Sequence, residues 1–181
     1  PLYIRSHRCG QLRASDVGST VRLAGWAHSY RDHGGVIFVD LRDREGITQI
    51  VFNPQTHAES HRLAESIRNE YVLAIEGLVD HRPEGTINSD LPTGQIEVVV
   101  RRLEILARPE SLPCELSEGQ EVSEDHRLRY RFFALRRPDM QRNLQTRHRI
   151  TQVMRSFLDQ REFWEIETPF LTRSTPEGAR D

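Results

Sequence analysis

The order of elements along this sequence predicts a mainly β fold, a small closed barrel of five strands with one helix inserted, and three observations support it. First, apolar stretches recur at Val21 to Ala27, Val36 to Leu41, Ile47 to Phe52, Tyr71 to Val79 and Ile96 to Leu106, with one helix-spaced segment, Ala58 to Glu70, between the third and fourth. Second, the clearest of these alternates: Ile37, Val39 and Leu41 fall on one face of a strand, and Val36, Phe38, Asp40 and Arg42 on the other. Third, the pattern ends after Ala107, where RPESLPCELSEGQEVSEDH is acidic, proline-bearing and without period. Three strands, one helix and two strands in about a hundred residues is the order of an OB barrel, whose helix lies between its third and fourth strands.

Taken in turn, the second and third stretches are joined by Asp43-Arg44-Glu45-Gly46, whose glycine can take the positive φ of a hairpin turn. In the helical segment Leu63, Ala64 and Ile67 share one side. The last two strands are separated by a polar loop rich in Pro, Gly and Asn. Beyond the linker, Ile150, Val153, Met154, Phe157 and Leu158 follow the spacing of a helix with one apolar face. The stretch FWEIETPFLTRSTPEGARD then reads as a short strand and a loop. A helix, a strand and a loop bury no core of their own, so the expectation is a truncated piece or one that needs a partner. The predicted organisation is a barrel over residues 1–107, a hinge or linker over 108–140, and the first helix and strand of an α+β domain over 141–181.

Composition narrows the function classes. Of 181 residues, 29% are charged, and no apolar run approaches the roughly 20 residues that span a bilayer. No basic-then-apolar leader opens the chain, so a soluble cytoplasmic protein with no membrane partner is expected. Cys9 and Cys114 stand far apart and read as reduced thiols. A net charge of −2 argues against indiscriminate nucleic-acid binding, so any such site must be local. The arginines between residues 127 and 149 read as a solvated, salt-bridged face. His57 and His61 are four apart but lack a third ligand, and a solvated helix face is the reading preferred over a metal site. Asp40, Asp43 and Glu45 surround a turn, where exposed acids are ordinary. There is no phosphate-cradling glycine loop and no nucleophile motif.

What remains is a surface. If the odd residues of Val36 to Leu41 fill the barrel, Phe38 stands outward on the face that OB folds use for single-stranded nucleic acid. Gln49 shares the outer side of the next strand with Ile47 and Val51, Glu97 alternates against Ile96 and Val98, and Arg31 lies at the mouth of the first hairpin. A ring to stack, an amide and a carboxylate for base edges, and a guanidinium for phosphate or base then converge. Stacking on one aromatic contributes roughly 1–3 kcal/mol per base. The competing reading is a solvated sheet face.

At this point three segments resemble a known family. VDLRDREGITQIVF, RYRFFALRRP and IETPFLTRSTPEGARD are similar to the anticodon-domain signature, the hinge-end segment and the class II motif 1 of the bacterial-type aspartyl-tRNA synthetases, and the TPEGARD ending is the most specific of these. The resemblance runs almost the whole length. It implies an N-terminal OB anticodon-binding domain, a hinge and the start of a class II catalytic domain. It implies that Arg31, Phe38, Gln49 and Glu97 touch the anticodon, that Glu177 helps to bind aspartate, and that Pro169 packs at a homodimer interface. The implied parent is an aspartate–tRNA ligase using ATP and Mg²⁺, with L-aspartate and tRNA(Asp) as substrates.

Two further positions bear on which tRNA is charged. Family members confined to aspartate resemble one another in carrying Leu at the His33 position and a longer side chain near Gly85. His33 and Gly85 therefore imply a non-discriminating ligase that also accepts tRNA(Asn), although either glycine-rich site also suits a plain turn. Departures are Glu162, where motif 1 usually has glycine, and Phe133-Ala134, where the family has Leu-Asp. The motif 2 arginine and motif 3 that hold ATP are not in this sequence, so the chain itself is expected to bind no cofactor and not to aminoacylate. The alternative is a stand-alone OB module that binds tRNA or single strands without chemistry.

Overall fold

The computed structural model describes residues 1–114, 116 and 122–171, and the chain divides into two compact units, Pro1–Glu115 and Leu116–Asp181. In the first, β1 (Thr20–His33), β2 (Val36–Arg42), β3 (Ile47–Phe52), β4 (Val72–His81) and β5 (Ile96–Ala107) close into a barrel in the order β1-β2-β3-β5-β4. Neighbours are antiparallel except β3 and β5, which run parallel. A short helix, α1 (Ala58–Ala64), falls between β3 and β4 in the chain. This is the predicted OB barrel. Its core takes Ile37, Val39 and Leu41 from β2, together with Leu23, Ile50 and Phe52, all essentially inaccessible. Burying each such side chain contributes roughly 1.5–3 kcal/mol.

β1 runs well past the apolar stretch that announces it, and a bulge is the reason. Its register against β2 shifts between Ala27 and Ser29, which makes His28 the extra residue. Before the bulge Val21, Leu23 and Ala27 face the core. After it Tyr30 packs against the core, and the alternation has changed phase. Ser29, Arg31 and His33 are thereby turned to the outside. An unbulged strand would send Arg31 and His33 inward, because a one-residue shift exchanges the two faces.

The bulge is clamped. α1 is shorter than the predicted Ala58 to Glu70: the chain leaves the helix after Ala64, although Ile67 still reaches the core, and Glu70 takes a left-handed φ of +65°. There its N–H donates to the Ala27 carbonyl at 2.7 Å, next to the bulge. Arg42 Nη2 donates to both oxygens of the buried Glu70 carboxylate at 2.8 and 2.9 Å, and Arg42 Nη1 lies 2.8 Å from His28 Nδ1. Because a guanidinium only donates, His28 Nδ1 must accept. Burial and the adjacent Arg42 charge accordingly lower the pKa of His28.

The β2–β3 turn corrects one expectation. Asp43 is not an ordinary exposed acid: it is buried, and its carboxylate accepts from the backbone N–H of Cys9 at 2.9 Å, Glu45 at 2.8 Å and Gly46 at 3.3 Å. The turn closes by Asp43 N–H to Gly46 O at 3.0 Å, with Gly46 at φ +151° against the Gly10 backbone, a close approach that a Cβ would block. Cys9 and Cys114 are free thiols.

The second unit contains α2 (Glu124–Arg129), α3 (Arg131–Ala134) and α4 (Pro138–Asp159). Ser123 caps α2 by accepting the His126 N–H, and Pro138 opens α4, where its missing N–H costs nothing. The predicted apolar face of α4 is present and exposed: Ile150, Val153, Met154 and Phe157 are each more than half accessible. Phe163 to Pro169 follow without regular structure, since a strand needs a paired neighbour and the described residues of this unit supply none. The arginine-rich stretch is mostly exposed as expected, but Arg137 is buried and donates to Asp139 Oδ1 at 3.3 Å. Among the described residues no helix is long and apolar enough to cross a membrane.

Candidate nucleic-acid interface

Pairing across the barrel wall assembles the outer face in two rungs. Arg31, Phe38 and Val51 lie opposite one another on β1, β2 and β3, and Ser29, Asp40 and Gln49 form the next rung. The polar side chains are linked in one chain of hydrogen bonds. Ser29 Oγ donates to Asp40 Oδ2 at 2.5 Å, and Arg31 Nη2 donates to both Asp40 oxygens at 3.1 and 3.2 Å and to Gln49 Oε1 at 3.3 Å. Gln49 Nε2 in turn donates to Glu97 Oε2 at 2.8 Å, which carries the chain onto β5. Of the four residues picked from the sequence for this face, three are therefore bonded in series, and Phe38 sits beside Arg31 in the adjacent rung.

Two of them are placed differently from the simple expectation of side chains standing free. Gln49 is 6% and Glu97 9% accessible. They lie in the floor of the face, where each polar atom needs a partner, and the Gln49–Glu97 bond supplies one. Burial raises the Glu97 pKa, against which the Gln49 hydrogen bond and the nearby Arg82 charge pull downward. Arg31, with nearly half its side chain exposed, is the accessible cation above them. Phe38 is half-buried, and the edge of its ring meets the His33 ring at 6.2 Å between centroids, inclined by 62°.

The remaining candidates separate. His33 is the last residue of β1, and Gly34 and Gly35, at φ +62° and +84°, form the two-residue turn to β2. Gly85 occupies the third position of a turn closed by Thr86 N–H to Pro83 O at 3.1 Å, where its φ of +81° is what a type II turn requires. A larger residue at 85 would have to accept that strain or rebuild the turn. Pro169 is exposed in the second unit. Glu177 lies outside the described residues.

The site also includes residues that sequence reasoning passed over. Asp40 was visible on the Phe38 face by parity, but its role as the anchor of Arg31 depends on the bulge that turns Arg31 outward. Arg82 is buried just after β4, donates through Nε to Ile96 O at 3.1 Å, and lies close enough to Asp40 and Glu97 that their charges favour its protonated form against the cost of burial. His57 and His61 do not line a solvated helix face: His57 precedes α1, and His61, 13% exposed, places Nε2 at 2.7 Å from the Gly35 carbonyl. Among the described residues no group of three or more His, Cys, Asp or Glu side chains would hold a metal ion.

Taken together, the face offers a ring for stacking, a half-exposed guanidinium, and an amide and a carboxylate set among satisfied partners. That combination suits unpaired bases, whose faces stack and whose edges exchange hydrogen bonds with such groups. Residues 21–106 match the OB-fold nucleic acid binding domain family, and residues 123–181 match the tRNA synthetases class II (D, K and N). The chain is 56% identical over 177 residues to an aspartate–tRNA(Asp/Asn) ligase of Moorella thermoacetica, an overlap that takes in 98% of this chain and 29% of that protein. It is 57% identical to the protein of the same description from Magnetococcus marinus, again over 98% of this chain and 29% of the relative. The chain thus spans about 30% of the length of the curated relatives it matches. A solved asparaginyl-tRNA synthetase from Pyrococcus horikoshii, complexed with asparaginyl-adenylate, superposes with a TM-score of 0.80 at 26% identity over 97% of this chain and 39% of that one.

Proposed function

We propose, from the premise that this chain belongs to the class II aspartyl-tRNA synthetases, that its parent is an aspartate–tRNA ligase that reads the tRNA anticodon on the outer face of the barrel. The observation that carries this reading is the hydrogen-bonded series Asp40–Arg31–Gln49–Glu97 beside the Phe38 ring. Phe38 stacks on an anticodon base. Arg31 contacts phosphate or a base edge, and Gln49 exchanges its protein partners for a base edge. Glu97 accepts from the exocyclic amino group of cytosine, the third anticodon letter of tRNA(Asp). Uracil, at the same place in tRNA(Asn), presents a carbonyl there and gives Glu97 nothing to accept. His33 beside Phe38 can donate or accept according to its tautomer, and it serves either pyrimidine. The open turn at Gly85 leaves both loops room, so the ligase charges tRNA(Asp) and tRNA(Asn) alike.

The parent acts in the cytoplasm as a homodimer, with Pro169 at the interface, and Glu177 helps to hold L-aspartate. ATP and Mg²⁺ are assigned to the parent. The described residues present no acidic cluster that would fit the metal, so no step here runs through either group. The stand-alone OB module is the less favoured reading, because the likeness to ligases continues from the barrel through residues 123–181. The test is binding of an anticodon stem-loop to the chain. Phe38→Ala is expected to weaken it by about 1–3 kcal/mol with the unfolding midpoint unchanged, since the ring is outside the core. Unchanged affinity would remove the anticodon reading.

A further inference from the structure

The β1–β2 turn, which carries His33, is open. A Cβ added at Gly34 or Gly35 would meet nothing within 4 Å, so packing does not hold it. Among the described residues two side chains do, both through Gly35. Asp32 Oδ1 accepts the Gly35 N–H at 3.0 Å, but Asp32 belongs to the hairpin and moves with it. The other is His61, whose Nε2 lies 2.7 Å from the Gly35 carbonyl. A carbonyl only accepts, so Nε2 carries the proton.

His61 is fixed from behind. It sits in α1, where Ala64 is buried in the core and Ser60 Oγ donates to the Arg101 carbonyl on β5 at 2.8 Å. Glu65, one turn on, lies 3.9 Å from the other ring nitrogen. The His61–Gly35 bond therefore ties an otherwise free turn to the body of the barrel, two residues from His33.

We infer that His61 is a positioning residue for the third anticodon letter: it touches no RNA, and it holds the hairpin tip so that His33 stays against Phe38 where either pyrimidine meets it. The inference rests on the proposed anticodon reading. The uracil loop depends on it more, because cytosine keeps its contact with Glu97 when His33 wanders.

The experiment measures the affinity of the 181-residue chain for two anticodon stem-loops that differ only in C or U at the third letter. It compares the unaltered chain, His61→Leu, His33→Ala and the double variant, with His61→Gln and Phe38→Ala alongside. His61→Leu is expected to weaken the U loop on the order of fivefold, within the range for coupled neighbours, and to do nothing further once His33 is Ala. His61→Gln, whose amide can donate to Gly35, restores most of the loss. An equal loss in both His33 backgrounds would mean that His61 only supports the barrel, and it overturns the inference, as does no loss at all. The two readings fail separately: if Phe38→Ala leaves both loops unaffected, the anticodon reading falls, whereas if it weakens both while His61 and His33 stay uncoupled, only the positioning role falls.

Discussion

Two glutamates in this chain adopt the same left-handed backbone, one in each unit, and they do so for opposite reasons. Glu70 and Glu162 both have φ of +65°. Such a conformation costs an L-residue on the order of 1–2 kcal/mol, so something must offset it or the strain stands. At Glu70, in the barrel unit, the backbone N–H reaches Ala27 and the carboxylate takes two hydrogen bonds from Arg42, whose other nitrogen holds the bulge residue His28. At Glu162, past the end of α4, the side chain is exposed and has no ion-pair or hydrogen-bond partner among the described residues. The same contrast runs through the two units. The barrel buries its large apolar side chains, Phe52 and Leu23 among them, while the helical unit leaves Phe157, Trp164 and Phe170 exposed.

The strongest way to break this comparison is Glu70→Gly. Glycine relieves the backbone, but it strands the Arg42 guanidinium, whose side chain is only 13% exposed, beside a neutral His28. Removing one partner of a buried pair costs about 3–5 kcal/mol, and relief of the turn returns about 1 kcal/mol of it. A net loss of about 3 kcal/mol is expected in denaturant unfolding. Because the same clamp holds the bulge that turns Arg31 and His33 outward, stem-loop affinity should fall in the fraction that remains folded. A variant as stable as the parent chain would show that the pair contributes nothing.

That clamp also marks the limit of what the sequence could reveal. The parity of β2 was legible because Ile37, Val39 and Leu41 are uniformly apolar and uniformly buried. It places Phe38 on the outer face, opposite Arg31, where the structure has it. The order of strands and helix was legible for the same reason. His28 was not: a bulge inserts one residue without altering hydrophobicity, and only the register across to β2 exposes it. The sequence places Arg31 only at the mouth of the first hairpin, and the bulge is what turns it onto the outer face. The end of α1 was missed because Ile67 keeps helical spacing while the backbone has already turned. Asp43 departs from the expectation because a turn acid that collects three backbone N–H groups looks, in sequence, like any other.

A second contrast between the units can be read by pH. Burial raises the pKa of Glu97 in the barrel, whereas the bidentate hydrogen bonds from Arg155, at 2.7 and 2.8 Å, lower that of exposed Glu165 in the helical unit. Glu97 therefore holds its proton to higher pH than an ordinary glutamate. Its contribution to folding is greatest below the ordinary glutamate pKa and is lost as pH rises through the raised value. In the proposed anticodon reading, recognition of cytosine needs the ionised form and moves the other way. Affinity for the C loop should fall with acidification through that raised pKa, by at most about tenfold per pH unit for one linked proton, while the U loop changes less. Glu97→Gln should flatten the C-loop profile. Glu165 behaves conversely: its contribution is present above the ordinary glutamate pKa and is lost as pH falls through the lowered one. A C-loop profile that titrates at the ordinary glutamate pKa would contradict the raised value.

The smallest effect tests the comparison most directly, because it makes the same substitution at the other glutamate. The end of α4 closes with Phe163 N–H to Leu158 O at 3.1 Å and Glu162 N–H to Asp159 O at 2.9 Å. These are the paired bonds of a Schellman motif, with Glu162 at the position that glycine usually fills. The sequence flagged this position as a departure, and the backbone shows that the left-handed conformation is kept although the glycine is not. Those backbone bonds survive a change to glycine, and no side-chain contact of Glu162 among the described residues is lost with it, so Glu162→Gly should stabilise the helix end. The gain is the relief of left-handed strain less the extra freedom glycine gives the unfolded chain, about 1 kcal/mol at most. Amide hydrogen exchange at Phe163 reads it directly, and protection should rise by up to about fivefold, at 1.36 kcal/mol per tenfold. Glu70→Gly and Glu162→Gly thus carry opposite signs from one backbone angle. If both destabilise, the Glu162 side chain has a partner that offsets its strain, and the contrast between the two glutamates does not hold.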